Sequence, residues 1–239
     1  MGNGNSRPLR LVAWNCAGGF QRKRSALEAL EPDIAVVAEV RRHALTEAEL
    51  KAGRALWIGD GGKGLAVLAA NGWRLQAGAS PAADRWFMPV VATRRGIAVR
   101  LIAAWVMPAP DYVQPTRRAL AELDDFLSAG PCLFVGDLNH NIRLDGTRSR
   151  ERFRGIVERL TAAGLVSVWH AVTGEAHGAE SRPTLYFLWN EVRPFHIDYV
   201  FAPAGWARAA TVGNYADWVA TRLSDHVPVT VDLRVPRSG

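Results

Sequence analysis

Cys132-Leu133-Phe134-Val135-Gly136-Asp137-Leu138-Asn139 reads as a buried strand that ends in a carboxylate and a carboxamide. A second segment, Ser224-Asp225-His226-Val227-Pro228, leads into another apolar run from Val227 to Leu233. Strand ends are where a rigid scaffold presents side chains to a ligand. Two carboxylates, a carboxamide and an imidazole at such positions suit metal-assisted attack on phosphorus. Taken singly, Gly-Asp and Ser-Asp are ordinary turn and capping chemistry. Their joint occurrence carries the reading.

Outward from these blocks, apolar runs predict strands at Arg10 to Trp14, Asp33 to Ala38, Leu65 to Ala69, Phe87 to Thr93, Ile97 to Val106 and Ile197 to Ala202. Helical spacing predicts helices over Gln21 to Glu31, Thr116 to Leu127 and Glu151 to Ala163, and Glu175 to Pro183 reads as loop. The tight Arg94-Arg95-Gly96 turn joins two strands into a hairpin, so part of the sheet is antiparallel. Helices alternating with strands, and hairpins among them, predict an α/β sandwich of two mixed sheets.

A chain of 239 residues with 49% hydrophobic content supports one large catalytic domain, expected over 9–235 behind a flexible tail at 1–8. No run approaches the roughly 20 apolar residues of a membrane span, and the amino terminus lacks a secretory core, so a soluble cytoplasmic monomer is expected. Met1-Gly2-Asn3-Gly4-Asn5-Ser6 fits a myristoylation pattern, but such ends are usually tails. Cys16 and Cys132 read as reduced core residues, since a lone pair gives no disulfide framework.

The formal charge is +6, and of the 29 basic residues all but Lys23, Lys51 and Lys63 are arginine, the better fork for phosphate oxygens. Arg143, Arg148, Arg150, Arg152, Arg154 and Arg159 cluster directly after the Gly-Asp-Leu-Asn block. A polyanionic substrate is compatible with this charge, as is a solvated arginine-rich surface.

Val12-Ala13-Trp14-Asn15-Cys16, Glu39, Gly136-Asp137-Leu138-Asn139, His196-Ile197-Asp198-Tyr199 and Ser224-Asp225-His226-Val227-Pro228 follow one another in an order that resembles the endonuclease/exonuclease/phosphatase superfamily. That group includes apurinic endonucleases, pancreatic-type deoxyribonucleases and inositol polyphosphate phosphatases. The resemblance runs from Leu11 to about Leu233 and implies a four-layer sandwich dependent on Mg²⁺ or Mn²⁺. It implies that Asn15, Glu39 and Asp225 form or orient the metal shell. Asp137 would orient or deprotonate the attacking water, Asn139 would contact phosphate or nucleophile, and His226, oriented by Asp198, would stabilise charge or relay a proton. Asn141 and Arg143 are expected to bind substrate, with His140 and His196 near enough to line the site.

Two departures from the family pattern concern the phosphate contacts. Trp105 stands where relatives offer a tyrosine or histidine, and Met107-Pro108-Ala109-Pro110 lacks their asparagine; Ala38 also replaces a common glutamine. With Val106 placed on the core-facing side of the pleat, Trp105 is expected as a stacking platform at the site mouth. The expected activity is a metal-dependent phosphodiesterase acting on DNA or RNA. The alternative is a phosphomonoesterase of an inositol phosphate, lipid headgroup or nucleotide, and a third reading is a non-catalytic phosphate-binding protein.

Overall fold

The computed structural model describes residues 7–81, 86–146 and 152–236. The amino-terminal myristoylation pattern and Arg148, Arg150 and Glu151 of the arginine cluster therefore lie outside the described residues.

One six-stranded sheet contains β1 (Leu9–Asn15), β2 (Ile34–Val40), β3 (Ala55–Gly59), β4 (Gly64–Ala69), β13 (Ala207–Val212) and β14 (Val229–Leu233), in the order β13-β14-β1-β2-β4-β3. The other contains β5 (Arg74–Ala77), β6 (Phe87–Arg94), β7 (Ile97–Trp105), β8 (Cys132–Asp137), β9 (Leu165–Ser167) and β12 (Asp198–Pro203), in the order β5-β6-β7-β8-β12-β9. A small hairpin of β10 (Leu185–Tyr186) and β11 (Pro194–Phe195) stands beside them. Each large sheet has one parallel pair: β1 with β2, joined through α1 (Phe20–Glu28), and β7 with β8, joined through α3 (Val113–Glu122) and α4 (Asp124–Ser128). Parallel neighbours require such crossovers. The remaining pairs of the two sheets are antiparallel, so the expected mixed α/β sandwich is the observed one.

Alternation along the central strands builds the layers. Leu11 and Ala13 of β1 and Leu101, Ala103 and Trp105 of β7 point into the core between the sheets. Val12 and Trp14 face the layer holding Phe20 and Leu27 of α1, whereas Ile102, Ala104 and Phe134 face Leu120 of α3 and Phe153, Ile156 and Leu160 of α5 (Phe153–Ala162). The result is helix, sheet, sheet, helix.

The Thr116 to Leu127 helix is in fact two pieces that meet at Leu123. Its start is earlier because Asp111 accepts hydrogen bonds from Val113 and Gln114 N–H, both at 2.8 Å, and Pro115 fits a first turn. Asp124 and Asp125 then favour a new helix beginning after Leu123. The other two predicted helices appear with ends shifted by a few residues. Both cysteines are buried and free, and burial pushes each thiol up to about 12. Among the described residues, no helix is long and apolar enough to cross a membrane.

Topology brings five strand ends to one edge of the sandwich. β1 and β2 finish where β14 begins, and β8 finishes where antiparallel β12 begins, with Asp137 opposite Asp198 in register. Gly136 makes this approach possible. Its φ is +143°, and a Cβ there would lie 1.9 Å from the Ala104 carbonyl oxygen, so a larger residue would push β7 and β8 apart just before Asp137.

Candidate active site

Asn15 closes β1 and Asp137 closes β8, one from each sheet. Asn15 Nδ2 donates to Asp137 Oδ2 at 2.9 Å and reaches Glu39 Oε1 at 3.3 Å, so a single carboxamide aligns both carboxylates. Asn15 Oδ1 accepts the Ala17 N–H, which fixes the side chain. Ser224, fully buried, donates its hydroxyl to the Asn15 carbonyl at 2.7 Å and accepts the His226 N–H at 3.1 Å. The Ser-Asp-His segment is thereby tied to the end of β1.

Glu39 sits at an irregularity of β2, where the register with β4 shifts between Val37 and Val40, and its φ is +63°. A left-handed conformation in a glutamate is strained, and such strain is held where surrounding structure and function demand it. The bulge re-aims a side chain that would otherwise follow the pleat. Asn139, φ +50°, is similarly turned: its N–H donates to Asp137 Oδ1 at 2.9 Å and its Nδ2 to the Val106 carbonyl at 3.0 Å.

His226 and Asp198 form the second half. Nδ1 of His226 donates to Asp198 Oδ2 at 2.9 Å, and Nε2 has no hydrogen-bond partner among the described residues. Trp14 Nε1 holds the His226 carbonyl, and the fully buried Thr184 hydroxyl accepts the N–H groups of Ile197 and Asp198. Donor atoms of Asp137, Asp198 and His226 lie within 4.8 Å of one another.

Burial sets the protonation states. Loss of solvation, reinforced by the Asp198 charge, lifts the Asp137 carboxyl to about 7 even though His226 and the Asn15 and Asn139 hydrogen bonds pull it down. Burial alone would lower His226, but the Asp198 and Asp137 carboxylates outweigh it and raise the imidazole to about 10. Near neutrality the site thus pairs an imidazolium with a carboxylate poised between its two forms. Asp198 Oδ1 is buried without a hydrogen-bond partner among the described residues, an acceptor left over at the centre of the cluster.

The proposed metal shell passes a chemical test. Glu39 and Asp225 offer carboxylate oxygens, the preference of Mg²⁺ and Mn²⁺, while Asn15 turns its Nδ2 to Glu39 and so orients the shell. Glu39 already seats a cation, since Lys63 Nζ is ion-paired with its Oε2. Asp225 and Glu39 both act on the charge of the same half-buried Lys23, and Asp225 also raises His226.

Two of the three expected substrate contacts require correction. Trp105 is 6% exposed, lies between the sheets and packs edge to face on Trp86 at 5.0 Å, while Val106 takes the outer side. The pleat parity is opposite to the expected one, and the indole is core material away from the mouth. Asn141 is 3% exposed, and its Nδ2 serves Glu180, the His196 carbonyl and the Tyr199 hydroxyl, so it braces the loop after β8. Arg143 alone of the three remains exposed, against Asn141 and Glu180 in a cleft of about 240 Å³. His140 faces Asp145 and His196 is buried with Nδ1 on the Arg182 carbonyl, so neither points freely into the site. Sequence reading missed Thr184 and Lys63. Nothing local marks Thr184, whereas Lys63 had a signal as a lone lysine among the glycines of Asp60-Gly61-Gly62-Lys63-Gly64.

The sequence matches the model of the Endonuclease/Exonuclease/phosphatase family over residues 12–226. It matches none of the curated proteins. Among solved structures, a 3′ phosphatase, NExo, from Neisseria bound to a product DNA hairpin superposes with a TM-score of 0.70 at 18% identity, over 95% of this chain and 99% of that one. An endonuclease/exonuclease/phosphatase from Beutenbergia cavernae gives 0.66 at 20% identity, over 96% and 72%. The AP endonuclease LMAP from Leishmania major gives 0.64 at 15% identity, over 97% and 89%. At these identities the likeness speaks to the fold.

Proposed function

Because this chain belongs to the endonuclease/exonuclease/phosphatase family, whose members are phosphoric ester hydrolases, we propose that it is a divalent-metal-dependent phosphodiesterase acting on nucleic acid. The observation that carries this reading is the cluster of Asp137, Asp198 and His226, bridged across the sheets by Asn15 to Glu39.

The roles follow from charge. Asp137, near 7, takes a proton from the attacking water, whose oxygen forms a bond to phosphorus as the opposite ester P–O bond breaks. Asn139, held by Val106 and Asp137, keeps the carboxylate in place beside the nucleophile. His226 as imidazolium neutralises charge on a phosphoryl oxygen, and Asp198 fixes its tautomer and orientation. Glu39 and Asp225, with Asn15 orienting Glu39, would hold Mg²⁺ or Mn²⁺, which would supply further neutralisation of the developing charge.

A polynucleotide is favoured over a small monoester by the groove of about 490 Å³ beside Glu39. Arg22, Arg41, His43 and Lys63 line it around Ala17, Gly18 and Gly19, with no carboxylate among its lining residues. Such a run of positive charge suits successive phosphates.

A panel of labelled DNA, RNA, abasic duplex, inositol phosphates and nucleotides, each with Mg²⁺ or Mn²⁺, tests the proposal. Strand cleavage with steep salt dependence is expected. Turnover confined to inositol phosphates or nucleotides would replace it with the phosphomonoesterase reading. Binding without turnover anywhere would remove catalysis altogether.

A further inference from the structure

Lys63 is placed to couple metal binding to substrate binding. Its ammonium is ion-paired with Glu39, with side chains 44% and 20% exposed. Its stem passes over Gly18, where a Cβ would lie 3.6 Å from Lys63 Cε, so the lysine roofs the cationic groove between Glu39 and the start of α1.

The loop that carries it has a fixed base and a free tip. Gly59 and Gly64 pair across β3 and β4, and a Cβ on either would lie within 2.2 Å of Trp57 or the Ile58 carbonyl oxygen. Between them, Gly61 has φ +90°, and a Cβ on Gly61 or Gly62 would meet nothing within 4 Å. The tip can therefore rotate at low cost without disturbing the hairpin.

We propose that Lys63 is a metal-displaced lysine: a divalent ion at Glu39 takes over the carboxylate held by Lys63, and the released ammonium turns into the groove as a phosphate-binding cation. This rests on the phosphodiesterase reading. A divalent ion has twice the attraction of an ammonium for the same oxygen, and the two cations repel at contact distance. Once displaced, Lys63 joins Arg22 and Arg41, for which substrate phosphates are the complementary charge. Metal therefore binds before substrate, and the order is written into the shared use of Glu39.

The test follows acetylation of each lysine in the full chain by acetic anhydride and peptide mass spectrometry, with and without Mg²⁺, beside calorimetric titration with Mg²⁺. Mg²⁺ should raise acetylation of Lys63 several-fold while exposed Lys51 stays constant. Glu39→Gln should show the raised rate without Mg²⁺, and Lys63→Gln should bind Mg²⁺ several-fold more tightly than wild type. If Mg²⁺ binds to wild type but neither Lys63 acetylation nor the affinity of Lys63→Gln changes, the displacement is overturned and the metal site stands. If wild type binds no Mg²⁺, the metal site falls, and with it the phosphodiesterase reading.

Discussion

Asn15 and Asp137, 122 positions apart, are joined at 2.9 Å from the ends of central strands in opposite sheets. The site is therefore a seam between the two halves of the sandwich, aligned by one carboxamide. Asn15→Ala removes the bond to Asp137 and the contact with Glu39 together. Turnover should fall by roughly 10²-fold or more, because a small misplacement of reacting groups is enough for that loss. Steady-state kinetics beside a melting curve checks this, and unchanged turnover in a folded variant would show that the seam has no part in catalysis.

The pH profile follows from two opposed shifts. Activity should rise as Asp137 loses its proton through about 7 and decline as His226 loses its own through about 10. Asp198→Asn removes the chief carboxylate holding His226 charged, so the alkaline limb should move towards neutrality and turnover should drop by roughly 10³-fold to 10⁴-fold, as in a related histidine–aspartate pair. An unmoved alkaline limb would detach it from His226.

Asp137 also links function to stability. Its folded carboxyl near 7 lies above the ordinary 3.8, so its contribution to stability is complete below about 4 and lost as pH rises through 7. In metal-free buffer, Asp137→Asn should melt several degrees above wild type at pH 8, with about 2–4 °C expected per kcal/mol in a domain of this size. The gap should close below about pH 4, where the wild-type carboxyl is protonated in both folded and unfolded chains. Equal melting temperatures at pH 8 would mean that the carboxylate is not strained by burial.

Central strands were legible because continuous apolar runs such as Cys132 to Val135 have few other uses. Edge strands β3, β5, β9 and β13 were not, since they are short and partly exposed and owe their conformation to pairing with β4, β6, β12 and β14. The compact blocks around Asn15, Asp137, Asp198 and His226 marked the candidate site, and the fold brings these residues together. What depends on long-range contact stayed hidden: the bulge at Glu39, the Thr184 bridge, and Lys63 lying over Gly18. Trp105 was assigned to the wrong face because Ile102 to Val106 is buried on both sides, which leaves no polar alternation to reveal the pleat parity.

The position of Trp105 gives a direct check. Trp105→Ala should cost about 3–5 kcal/mol of stability, the usual range for emptying a large aromatic site, with substrate affinity nearly unchanged. Chemical denaturation and a binding titration separate the two effects. Weakened binding without destabilisation would return the indole to the site mouth.

The central claim is that Glu39 anchors a divalent ion required for phosphodiester hydrolysis. The direct measurement is cleavage of labelled DNA and RNA by wild type and by folded Glu39→Gln protein, each with saturating Mg²⁺ and with chelator. Cleavage should appear only in wild type with Mg²⁺. Equal cleavage by folded Glu39→Gln, or cleavage by wild type that survives the chelator, would contradict the account.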